Sequence, residues 1–263
     1  MPSLKPEEIA AYIGAAAWAP QIITWIYKWI VKTTLRIVPD RIAEIGFTNF
    51  GPIFNVRMAF FVENRDLIID EIELVLRHQD GETRNFRWAQ LGETFSEITD
   101  SAGNRQIVTR DQTPIAVKVV TASLLEKTVR FQEPRYHEAD KPATARLVAH
   151  FGYLKQRNPL SYVPDTLACK EYFDTVELRQ KWFWWKPGRY EVTLQPKSPQ
   201  KFNLAPSSFA FELQDIDIDN LRRNIPMIET EVRNIISSNL PNSTPGQLFW
   251  HWANVSIRRP GDA

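Results

Sequence analysis

The chain has 263 residues, of which 43% are apolar and 24% charged, and its net charge at pH 7 is +1. That length and apolar share suit one large domain or two small ones with a buried core. Balanced charge without basic or acidic runs excludes the electrostatic footprint of a nucleic-acid binder, and a single cysteine, Cys169, excludes internal disulfides and multi-cysteine zinc sites.

Residues Ile9 to Tyr27 carry no charge and approach the length of a membrane-spanning helix, although Gly14, Pro20, Gln21 and six alanines make them only moderately hydrophobic. Pro20 is expected to kink or end a helix. Trp18, Ile22, Trp25 and Trp29 recur at spacings of four, three and four, so they share one helical face. Lys28, Lys32, Arg36 and Arg41 follow, a bias that keeps the remainder of the chain on the cytoplasmic side if the segment spans a bilayer. Residues 1–38 therefore read as an apolar, amphipathic helical segment. Trp18, Ile22, Trp25, Lys28, Trp29 and Lys32 are its candidate contacts with a membrane surface or a partner protein.

From Arg41 the period changes to two. Phe54, Val56, Met58, Phe60 and Val62 share a face, as do Ile72, Leu74 and Leu76. Asp80-Gly81 marks a hairpin turn, and Phe86 and Trp88 continue the inward side. Further strands are predicted at 114–122, 128–132, 145–154, 172–184, 189–195 and 208–214. Long connections are expected at 92–113, 133–144 and 155–170, where binding sites tend to sit.

The stretch KWFWWKPGRYEVTL begins at Lys181. Its Pro-Gly turn, followed by Tyr190, Val192 and Leu194 on one face, resembles a hairpin of immunoglobulin-like and fibronectin-like sandwiches. The resemblance covers about a dozen residues and implies a fold only. On a strand reading, Trp182 and Trp184 point one way and Phe183 and Trp185 the other. One pair is then core and the other faces out or lies beneath a loop or helix, with Phe183 and Trp185 taken as the candidate binding aromatics.

Leu221, Ile225, Ile228, Val232 and Ile235 form a narrow helical seam, with Pro226 marking a kink or a restart. Asp215, Asp217 and Asp219 begin like a calcium loop, but Asn220 and Pro226 replace its glycine and glutamate, so the run reads as an acidic helix start.

No catalytic pattern emerges. The four histidines, His78, His137, His150 and His251, lack metal-ligand spacing, and neither metal nor cofactor is expected. His137, Glu138 and Asp140 share a charged segment, read as a solvated loop, and Cys169 reads as an inert thiol.

The expected architecture is a mainly β chain. An antiparallel immunoglobulin-like sandwich (39–215) lies between the N-terminal aromatic helix and a C-terminal amphipathic helix and tail (216–263) that packs on it. The expected function is a non-catalytic, membrane-associated scaffold or binding module on the cytoplasmic face, recognising protein through loops or a sheet face. The alternatives are an enzyme with a loop-built site around His137, or a sugar-binding sandwich using exposed tryptophans.

Overall fold

A computed structural model describes residues 17–27, 31–99, 105–240 and 244–260. Residues 17–27 are helical (α1) on both sides of Pro20. Eight strands follow: β1 (Thr33–Thr48), β2 (Gly51–Glu63), β3 (Leu67–Ile69), β4 (Glu71–His78), β5 (Thr83–Thr99), β6 (Arg105–Gln112), β7 (Val117–Val119) and β8 (Leu125–Gln132). Three helices come next: α2 (Pro134–Arg157), α3 (Tyr162–Leu167) and α4 (Lys170–Lys181). The chain then returns to β9 (Gly188–Lys197), β10 (Phe202–Leu204) and β11 (Ser208–Leu213). It continues through α5 (Asp215–Arg222) and α6 (Ile225–Ser237) to β12 (Ala253–Ser256).

The strands form one large curled sheet in the order β10-β1-β2-β8-β5-β4-β9-β11, with β12 on β1 and β6 on β5; β3 and β7 pair separately. β10 runs parallel to β1, so the sheet is mixed. The last strand draws the ends of the curl together. β12 pairs with Ile42 to Ile45 of β1, and just beyond it Arg258 exchanges two backbone hydrogen bonds with Ala210 of β11, at 2.9 and 2.8 Å.

The chain is thus mainly β, as the alternating patterns require, but two stacked antiparallel sheets are not seen. Period-two runs specify strands and their inward faces. They do not specify whether the sheet stacks on another or curls on itself.

Apolar side chains of the curled sheet make one core, with Phe54, Phe86, Trp88, Phe131, Tyr190 and Phe211 among its large members. Trp88, Tyr190, Val192, Phe209 and Phe211 are all buried, as their alternation predicts. A second, smaller core lies among α2, α3, α4 and α6, built from Leu147, Tyr162, Val163, Tyr172, Val176, Val232 and Ile236.

Several expectations are corrected. β1 begins at Thr33, so residues 33–38 are strand and not part of a helical segment. Helices α2 to α4 lie within 39–215, which had been expected to be all β. Residues 145–154 belong to α2, because Leu147, Phe151 and Leu154 recur at helical spacing and meet the second core. Residues 170–181 form α4, which buries Tyr172, Thr175, Val176 and Arg179. A face that includes threonine and arginine leaves too few apolar positions to show a helical period. The expected loops at 133–144 and 155–170 contain helix, and 92–113 contains the β5–β6 hairpin.

The C-terminal seam is two helices. Pro226 sits in the first turn of α6, where its missing N–H costs nothing. Asp215 and Asp217 open α5, and the Asp217 carboxylate accepts the Gln214 N–H at 2.9 Å.

Candidate functional site

The predicted N-terminal contacts divide in two. Lys28 and Trp29 lie outside the described residues. Trp18, Ile22 and Trp25 lie on α1, and Lys32 is exposed just ahead of β1. Every described residue of α1 is exposed. Trp18, Ile22, Ile23, Trp25, Ile26 and Tyr27 retain between 43% and 69% of their accessible surface. Apolar residues therefore surround most of this helix, and none is used by the core of the body. A helix apolar on most sides is stable only when something covers it, a bilayer or another protein. Among the described residues no helix is long and apolar enough to cross a membrane.

The aromatic stretch has a different role from the one expected. Residues 182–185 follow the end of α4 and are not strand, so strict alternation does not apply. Trp184 and Trp185 are both buried and stack on each other, with ring centroids 4.8 Å apart. Trp185 is only 2% exposed, and its Nε1–H donates to the Gly46 carbonyl at 3.0 Å. Phe183 is half-buried and meets Phe47 edge-on. Trp185 is accordingly core and does not face outward, while Phe183 packs against that core and stays partly exposed. They wedge the helical layer onto β1.

The turn after them is latched to the Asp80-Gly81 turn. Lys186 Nζ lies 2.9 Å from Asp80 Oδ2 and 2.7 Å from Glu82 Oε2. Asp80 is held well below the usual carboxylate range, first by the Glu82 backbone N–H and then by Lys186 and His78. Gly188 adopts φ +127°, and a Cβ there would lie 2.5 Å from the Gln79 side chain, so this turn requires glycine.

His137, Glu138 and Asp140 sit in the first turns of α2, not on a loop. His137 and Glu138 are exposed, and a His137 ring nitrogen lies 2.9 Å from the Gln132 side-chain oxygen. Asp140 does have a converging partner, against expectation: Arg179 of α4. No second histidine joins them among the described contacts, and of the three Asp140 alone ties α2 to α4.

Nearby, Glu231 of α6 accepts a hydrogen bond from Asn49 at 2.7 Å, while its other carboxylate oxygen is buried without a partner among the described residues. Burial raises its pKa, against the pull of Arg179. Beside these charges an open groove of about 280 Å³ is lined by Leu147, Val148, Phe151, Val232 and Ile235, with Arg179 at its edge. Val148 and Ile235 are mostly exposed there.

Burial raises the Cys169 thiol pKa, in keeping with the inert thiol read from the sequence. Cys169 is half-buried at the N-cap position of α4, and His150 of α2 stands close by. The sequence separates these residues, and only the α2–α4 packing joins them. No protein-family model and no curated protein matches the chain.

Proposed function

We propose that the protein is a non-catalytic scaffold or binding module held at the cytoplasmic face of a membrane by its N-terminal segment, with the curled sheet and its helical layer presented to a protein partner. One observation carries this reading: residues 17–27 expose six large apolar side chains beside a body whose cores are complete without them. Burying one such side chain is worth about 1.5–3 kcal/mol, so the helix has a strong drive toward lipid. Indole rings favour the membrane interface, and Lys28, Lys32 and Arg36 lie just beyond the apolar stretch, where anionic headgroups attract cations. The groove between α2 and α6 offers the body an apolar surface for the partner.

Fractionation of cells expressing the full chain tests the reading. The protein should sediment with membranes and lose that association when Trp18→Ser, Ile22→Asn and Trp25→Ser are combined. Recovery of the unaltered chain wholly in the soluble fraction would refute it.

A further inference from the structure

His150, Cys169 and Glu171 reach one point from two helices. Cys169 occupies the N-cap position of α4, Glu171 lies in its first turn, and His150 belongs to the later part of α2. One ligand-type atom from each lies within 4.8 Å of the other two, and all three residues are half-buried. The helices that carry them pack on a shared apolar core, which Cys169 itself adjoins. The Cys169 thiol and the His150 ring both lie close enough to the Glu171 carboxylate to act on it electrostatically.

We infer that His150, Cys169 and Glu171 form a binding site for a borderline divalent cation of the zinc type, which clamps α2 to α4 and keeps a fourth position for water. The donor set selects the ion. Imidazole nitrogen, thiolate sulfur and carboxylate oxygen together suit zinc, whereas magnesium and calcium take oxygen ligands. A tetrahedral ion with ligands at about 2.0–2.3 Å keeps its donors roughly 3.5 Å apart, so small side-chain rotations close this set. Binding replaces the thiol proton, which leaves to solvent. Thiolate, carboxylate and neutral imidazole then balance the dication, and the site is neutral. The inference is independent of membrane attachment.

Cobalt(II) titrated into the chelator-treated full-length protein tests it. Cys169 is the chain's only cysteine, so any thiolate-to-cobalt charge-transfer band reports this residue alone. The expected result is that band with tetrahedral d–d absorption, saturating at one equivalent and bleached by zinc. It should vanish in Cys169→Ser and weaken in both His150→Ala and Glu171→Gln. Zinc should raise the Tm of the unaltered protein and not that of Cys169→Ser. An octahedral spectrum without a thiolate band in the unaltered chain overturns the inference, whether or not any variant folds. A band of full strength in folded His150→Ala and Glu171→Gln overturns it equally.

Discussion

Arg179 and Asp140 form a two-point ion pair that ties α4 to α2: Nε lies 2.7 Å from Oδ1 and Nη2 lies 3.2 Å from Oδ2. Thr144 closes the triangle, its hydroxyl donating to Asp140 at 3.1 Å and accepting from Arg179 at 3.0 Å. Both charged side chains are largely buried. Removing one partner of such a pair strands the other charge and costs about 3–5 kcal/mol. Asp140→Ala should therefore destabilise the protein by about 3 kcal/mol in urea unfolding. Asp140→Leu combined with Arg179→Met should recover most of that loss. A single variant within about 0.5 kcal/mol of the parent would show that the helical layer does not depend on this contact.

Tyr190 makes the fold sensitive to alkali. Its hydroxyl donates to the Lys186 carbonyl and accepts the Lys186 N–H, both at 2.9 Å. Burial pushes its pKa up to about 12 from an ordinary value of 10.0. As pH rises from about 10 to about 12, the unfolded tyrosine loses its proton while the folded one keeps it. The unfolded state then binds fewer protons, so stability present below pH 10 is lost across that window. Tyr190→Phe should cost about 1–3 kcal/mol at pH 7 through the lost bonds. The same substitution should flatten the decline above pH 10, which thermal melts across the pH series would show. An unchanged alkaline slope would assign the titration elsewhere.

Gly46 sits under an aromatic ring. A Cβ there would lie 2.3 Å from Cζ3 of Trp252, and the Gly46 carbonyl holds the Trp185 indole. Gly46→Ala must displace Trp252 or shift β1, so it should lower stability by about 1–3 kcal/mol, the usual cost of overpacking. Trp252→Ala in the same chain should remove that clash, making the two substitutions non-additive in denaturant titrations. Strict additivity would mean that the two residues do not meet.

Strands were legible in the sequence wherever one face alone is buried. Phe54 to Val62 and Tyr190 to Leu194 show this: their period of two survives as a face of the curled sheet. The Pro226 restart and the acidic start of α5 were legible because local backbone chemistry fixes both. α4 was not, because its inward face carries Thr175 and Arg179, whose burial depends on Asp140 and Thr144 in another helix. The opening of α2 was hidden in the same way. Charged residues surround Tyr136, and only the fold shows its hydroxyl donating to the Asn49 carbonyl. Trp185 looked available because a strand would have turned it outward, yet the chain there leaves a helix and folds both tryptophans inward. The meeting of His150 with Cys169 and Glu171 depends wholly on helix packing, so no spacing rule could reveal it. The exposed apolar face of Trp18, Ile22 and Trp25 was legible at once, since a single helix sets it.

The central claim is that α1 attaches the protein to lipid, and binding of the full-length chain to anionic vesicles tests it most directly. Phosphatidylserine-containing liposomes should carry the protein down on sedimentation, partly released by high salt if Lys28 and Lys32 help. Combining Trp18→Ser, Ile22→Asn and Trp25→Ser should weaken binding by about 2 kcal/mol or more, some thirtyfold, with an unchanged melting curve because these side chains add nothing to the body. No binding by the unaltered chain, or equal binding by the triple variant, would contradict the account and leave α1 as a contact for another protein.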